Sequence, residues 1–228
     1  MAEPTKVILD SSSLIALSGS CLFNILYKLK AKNNLDFLIS ENVKRESVDT
    51  PLSINRFELN ALRIREAINK GTITVVKQTK ELDNLMKSIE EAASQVFSSE
   101  GAGSLRLIHA GELESIALVK LLNAKILAID ERITRFFVEN PEELGRLLET
   151  RRNEKISYDE NAYSKFASLI PQMTIIRSSE LIALAYEQGF LEDDLGKGKL
   201  TLKASLFALK NNGCAMSGYE IKSFVGKI

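Results

Sequence analysis

Apolar residues fall in short, nearly unbroken blocks at residues 6–10 (KVILD), 35–39 (LDFLI), 72–76 (TITVV), 125–129 (KILAI) and 173–176 (MTII). Blocks of this length, bounded by turn residues and rich in β-branched side chains, predict strands buried on both faces. The stretches between them carry helical spacing instead. Helices are predicted over 14–17 and 22–29, interrupted near Gly19, over 42–48, stopped at Thr50-Pro51, and over 53–70, closed by Gly71. Further helices are predicted over 79–97, from Gly111 through Leu121, over 141–155 and over 158–170, the last ended by Pro171. The remainder reads as a helix over 181–188 capped by Gly189, a loop around Asp193-Asp194 and Gly196-Lys197-Gly198, a helix over 200–210, and a terminal helix capped by Ser217. The glycine-containing stretch 101–104 reads as a flexible loop. Strands alternating with helices predict an α/β protein, a three-layer α/β/α sandwich on a central parallel sheet of about five strands.

In such a sheet the carboxyl ends of strands and the amino ends of the following helices share one edge, where ligands bind. The stretch from His109 to Asp130 is the one around which that edge is organised. Glu112 lies in the first turn of a helix and Asp130 ends the next strand, so both project toward that edge. Glu114 competes with Glu112, because two positions along a helix turn a side chain to nearly the opposite side; Glu112 is taken as the residue facing the edge and Glu114 as silent. Asp10 ends the first strand; it could cap the helix that begins near Leu14, but Ser11-Ser12-Ser13 are present for that duty, which leaves Asp10 for chemistry. Glu46, with Glu41 as its competitor, sits in the helix after the second strand. Glu180 is a further acid in a first helical turn on the same edge.

Composition narrows the chemistry. Thirty Lys and Arg balance thirty Asp and Glu over 228 residues, so RNA would be met through a local patch and not through a bulk field. Local basic groups occur at Lys28-Lys30-Lys32, at Arg146-Arg151-Arg152-Lys155 and at Lys197-Lys199-Lys203. Cys21 and Cys214 form no CxxC pair, which excludes a zinc ribbon and fits a reducing cytoplasm. The single histidine, His109, excludes a His-based metal site or a Ser/His/Asp triad. Any metal would be held by oxygen ligands, which points to Mg²⁺ or Mn²⁺. The amino terminus shows no signal pattern and no apolar run reaches membrane-spanning length, so a cytoplasmic protein with no membrane partner is expected. No internal repeat is evident.

Carboxylates gathered on one edge without Lys or Arg among them repel one another unless a cation neutralises them. A divalent ion does so, lowers the pKa of a bound water and stabilises charge developing on a phosphoryl oxygen, the chemistry of phosphodiester hydrolysis. A haloacid-dehalogenase-type phosphatase needs a second acid two residues after the first, where this chain has Ser12, and no GxxxxGK[ST] loop is present for an NTPase.

Taken in order, VILDSSSLIAL, ENVKRESV, GELESIALVKLLNAKILAIDER and a final strand plus helix resemble a PIN domain, the metal-dependent ribonuclease fold, and most closely its archaeal branch with a long carboxy-terminal part. The resemblance covers roughly residues 6–190, so residues 1–190 are read as the PIN-like domain and 191–228 as a helical extension packed on it. It implies that Asp10, Glu46, Glu112 and Asp130 hold one or two Mg²⁺ or Mn²⁺ ions and activate water to cut RNA, that Ser12 supports Asp10, and that Glu180 would supply any acid after the last strand. It further implies RNA processing or decay, or a toxin role with an antitoxin or an RNA-processing partner. PIN domains commonly pair, and the apolar helices over 200–209 and 219–225 offer a homodimer surface, although burial in the chain's own core is the expected use. The rival expectation is a catalytically idle PIN-like module that binds RNA or protein.

Overall fold

The computed structural model describes residues 3–227. The chain opens with β1 (Thr5–Leu9), α1 (Ser11–Gly19), α2 (Ile25–Asn33) and β2 (Leu35–Ser40), followed by the short α3 (Glu41–Lys44). From α3 the backbone widens into a π-helical turn, Arg45–Asp49, in which Thr50 N–H reaches back to Arg45 C=O at 2.9 Å. Pro51 then imposes a 3₁₀ turn, Pro51–Ser53, and Ile54 is extended, so the helix expected over 53–70 begins only at Glu58, as α4 (Glu58–Asn69). β3 (Ile73–Val76) and α5 (Lys80–Ala93) follow.

Here the expected helix over 79–97 is overturned. It ends at Ala93, the chain turns at Ser94-Gln95, and β4 (Phe97–Ser99) pairs with β5 (Gly103–Ser104). The 101–104 stretch is thus a hairpin turn, with Gly103 at a φ of +65° that favours glycine. After α6 (Ala110–Leu121), β6 (Ile126–Ala128), α7 (Arg132–Glu139) and α8 (Pro141–Arg152), β7 (Ile156–Tyr158) joins β4 to complete a small antiparallel sheet. Ring packing fixes this unit: Phe97 meets Phe137 edge-on and Tyr158 at an angle, both with centroids 5.5 Å apart, and Phe137 meets Phe166 at 4.9 Å. The chain ends with α9 (Glu160–Leu169), β8 (Thr174–Ile176), α10 (Ser178–Glu187), α11 (Glu192–Leu195), α12 (Lys199–Asn211) and α13 (Gly218–Lys227). α11 stands where a loop was expected.

All five apolar blocks form one parallel sheet in the order β3-β2-β1-β6-β8. Side chains alternate across it. Val7 and Leu9 enter a core shared with α1, α2, α4, α10, α12 and α13, whereas Ile8, Leu38 and Leu127 enter a second core with α5 to α9. The fold is therefore a three-layer α/β/α sandwich. The apolar faces of the terminal helices, Leu202, Leu206, Leu209 and Ile221, are buried in the first of these cores. Among the described residues no helix is long and apolar enough to cross a membrane.

Candidate functional site

Sequential strands run from β1 outward to β2 and β3 on one side, and β6 and β8 extend the sheet on the other. The chain order therefore switches between β1 and β6, and the crevice beyond their carboxyl ends is where an α/β sheet places ligands. Asp10 and Asp130 stand there, both fully buried.

Asp10 is the N-cap of α1, a duty the sequence pattern assigned to the serines. Its Oδ2 accepts from Ser12 N–H at 3.0 Å and from Ser12 Oγ at 2.7 Å. Oδ1 receives a long bond of 3.5 Å from Ser115 Oγ. Ser12 also accepts from Asp130 N–H at 3.0 Å, so one hydroxyl ties the ends of β1 and β6 together. Replacing Ser12 with alanine leaves that buried N–H unpaired, and urea unfolding is expected to show a loss of about 1–3 kcal/mol. Burial raises the Asp10 pKa above the ordinary carboxylate range; the Ser12 bonds oppose this and the Glu46 charge adds to it.

Glu112 is almost fully buried at the start of α6, with Oε2 accepting from His109 N–H at 2.8 Å and from Thr134 Oγ1 at 2.6 Å. It too is a helix-capping residue, but Oε1 accepts no hydrogen bond among the described residues. Burial pushes its pKa up to about 7 against the pull of those two donors, and the charges of Asp10 and Glu131 push the same way. Glu46 projects from the π-helical turn, accepts from Ser11 Oγ at 2.8 Å, and lays its carboxylate on Gly111: a Cβ there would stand 3.0 Å from Oε1 and 3.1 Å from Oε2. Gly111→Ala should accordingly shift Glu46 while raising helix propensity by up to about 1 kcal/mol. We expect an unchanged or higher melting temperature in differential scanning fluorimetry.

Glu114, which the sequence pattern set aside as silent, is 0% exposed, and neither carboxylate oxygen has a hydrogen-bond partner. Residues three apart on a helix are neighbours, so Glu114 adjoins Gly111, the residue beneath Glu46. Glu41 is exposed in the first turn of α3. None of Asp10, Glu46, Glu112 or Glu114 forms an ion pair among the described residues.

Asp130 and Glu180 are engaged differently. Asp130 accepts from Ser178 N–H at 2.7 Å, Ser178 Oγ at 2.5 Å and Ser13 Oγ at 3.3 Å, which fastens β6 to the start of α10. Burial raises its pKa against those donors, and burial together with the Asp130 charge holds the Cys214 thiol at about 12. Glu180 is not brought into the group: it caps α10 through Arg177 N–H and pairs with the Arg177 guanidinium at 2.9 Å. Burial opposes its ionisation, but the bonds and charge of Arg177 prevail and lower its pKa.

A divalent ion fits this donor set in part. Glu114 supplies two buried oxygens without donors, and Asp10, Glu46 and Glu112 each keep a free or weakly engaged oxygen. As their side chains stand, no three acidic, histidine or cysteine groups among the described residues already form a metal cage. The supporting donors Thr134, Ser115 and Ser178 had no signal in the sequence beyond being hydroxyl residues near strand ends. The basic groups singled out there mostly serve the fold: Lys28 donates to Phe190 C=O, Lys30 pairs with Asp36, and Arg146 and Lys197 pair with neighbouring glutamates. The sequence matches no family model, and neither a curated protein nor a solved structure shows significant similarity to it.

Proposed function

We propose that this chain is a Mg²⁺- or Mn²⁺-dependent endoribonuclease of PIN type, hydrolysing RNA phosphodiester bonds in RNA processing or decay. One observation supports the reading: the charges of Glu46 and Glu112 act on or are acted on by Asp10 at the carboxyl end of β1, Glu114 is buried on the same helix as Glu112 with both oxygens unpartnered, and no cation pairs with any of the four among the described residues. Such a group is destabilising unless an ion neutralises it.

Asp10, Glu46 and Glu112 would hold the ion, with Glu114 as an added donor; Asp130, committed to Ser178, orients the end of β6 beside Asp10. When bound, a divalent ion supplies an acidified water and charge stabilisation at the phosphoryl oxygens. Ser12 fixes the Asp10 carboxylate from one side and leaves Oδ1 turned to the site. Thr134 Oγ1 and the His109 N–H hold Glu112 by Oε2 and leave Oε1 for the ion, which would favour the charged carboxylate over the protonated form that burial favours in its absence.

The commitment of Asp130 to Ser178 favours the rival, an RNA- or protein-binding module that does not cut. Incubation of labelled single-stranded RNA with Mg²⁺, Mn²⁺ or chelator separates the two. Metal-dependent cutting supports the nuclease; no cutting, with no rise in melting temperature on adding metal, would establish the rival. Glu112→Gln and Glu114→Gln then rank the two acids of α6: both are expected to lower cleavage. Loss in the Glu114 variant alone would reverse the assignment of the helix face.

A further inference from the structure

A cleft of about 740 Å³ opens beyond the carboxyl ends of β1 and β6, lined there by Ser12, which holds Asp10, and by Asp130. Arg132, Arg135 and Phe136 of α7 line it, with Arg151 near the end of α8, residues 213–217 between α12 and α13, and Glu220 in the first turn of α13. The charges on these walls are unequally satisfied. The wall acids have partners: Glu131 accepts from Thr134 N–H at 2.7 Å, and Glu220 from Ser217 N–H at 2.7 Å and the Arg177 guanidinium at 3.2 Å. The three arginines have no salt bridge among the described residues. The Arg132 and Arg135 guanidinium groups lie 5.0 and 5.8 Å from the centroid of the same Phe136 ring. Arg135 is half-buried; burial and the Arg177 charge act against its ionisation, and the charges of Glu139, Glu180 and Glu220 act for it. With Asp130, Glu131 and Glu220 on the same walls already hydrogen-bonded, the three guanidiniums without ion pairs among the described residues are the groups left to meet an anion.

We propose that this cleft binds the backbone phosphates of the single-stranded polynucleotide next to the bond being cut, a proposal that rests on the nuclease reading. Guanidinium groups match phosphate oxygens two at a time, and groups packed on a ring present a plane for an unstacked base. Phosphate contacts fix register without reading sequence, so the cleft would align many RNAs with equal ease. The 213–220 segment lines the cleft and makes the carboxy-terminal helices part of the substrate channel.

The test is fluorescence anisotropy of a labelled uridine oligonucleotide in chelator, where no cutting occurs, over a series of salt concentrations. Arg132→Gln, Arg135→Gln and Arg151→Gln are compared singly and together, with Arg106→Gln as control, since Arg106 pairs with Glu90 elsewhere on the surface. Each cleft substitution should reduce the slope of log affinity against log salt by about 0.7, and the triple variant by about 2. Affinity should fall more than about tenfold in the triple variant, while Arg106→Gln binds as the unaltered protein does. Arg151 is exposed on a helix end, so its substitution reports on binding even if the triple variant is destabilised. Equal slopes in the triple variant and the unaltered protein would overturn the proposal, as would oligonucleotide binding no tighter than that of inorganic phosphate. RNA cut normally by the triple variant would remove the cleft and leave the nuclease; arginine-dependent binding without metal-dependent cutting would remove the nuclease and leave the cleft.

Discussion

Asp10→Asn is expected to lower metal-dependent RNA cleavage by more than about a hundredfold while leaving the fold intact. Even residues that merely orient a metal's ligands change affinity or activity about 10- to 100-fold when replaced, so a direct donor at the centre of the group should exceed that. The fold should survive because asparagine is as good an N-cap as aspartate, and its oxygen can still accept from Ser12 N–H and Oγ. Differential scanning fluorimetry supplies the control. In chelator the variant should melt no lower than the unaltered protein, because a neutral side chain relieves a buried, uncompensated carboxylate. With an ion at about a hundred times its dissociation constant, the unaltered protein should gain about 2.7 kcal/mol of stability and the variant little. Full cleavage by Asp10→Asn would remove Asp10 from the chemistry and leave it as a helix cap.

The second large effect lies in the pH dependence of the metal-free protein. Glu112 titrates at about 7 in the fold against an ordinary value of 4.5, so the folded state binds its proton more tightly than the unfolded chain does. The stability this lends is fully present below 4.5 and is lost as pH rises through about 7, a change of about 3 kcal/mol. Burial raises Asp10 and Asp130 as well, and each acts in the same direction. Urea unfolding in chelator should therefore show stability falling from mildly acidic to neutral pH, and Glu112→Gln should flatten much of the fall. Mg²⁺ or Mn²⁺ should flatten it too, since an ion favours the charged carboxylates. An equally steep fall in Glu112→Gln would show that other groups carry it.

The central sheet is legible because its strands are buried on both faces and so appear as apolar blocks that end within one residue of the strands themselves, at Leu9, Ser40, Val76, Ala128 and Ile176. The strands of the small sheet, with sequences FSS, GS and ISY, carry no such apolar block. β4, β5 and β7 owe their place to Phe97, Phe137, Tyr158 and Phe166, rings that meet only after α7 and α9 have packed. The site was legible as a list of acids on one edge, because strand ends and helix starts lie on that edge by topology. Which acid faces which partner was not. Rotation around α6 separates Glu112 from Glu114, but only Thr134, twenty-two positions away in the chain, reveals that Glu112 is held and Glu114 is not. Likewise, Asp130 cannot be recognised as fastened until Ser178 arrives beside it from beyond β8.

The hydroxyl of Ser12, which joins Asp10 to Asp130 across 118 residues, also determines when the site comes into being. Pairing between β1 and β6 is highly non-local, and loops of that length close slowly during folding. On the ribosome, β1, β2 and β3 emerge early, but β1 lacks its second neighbour until β6 is made, and Asp130 lacks its anchor until Ser178 follows. Asp10 and Asp130 are thus brought together late in folding, once β6 has paired with β1, and Asp130 is fastened only when the start of α10 follows.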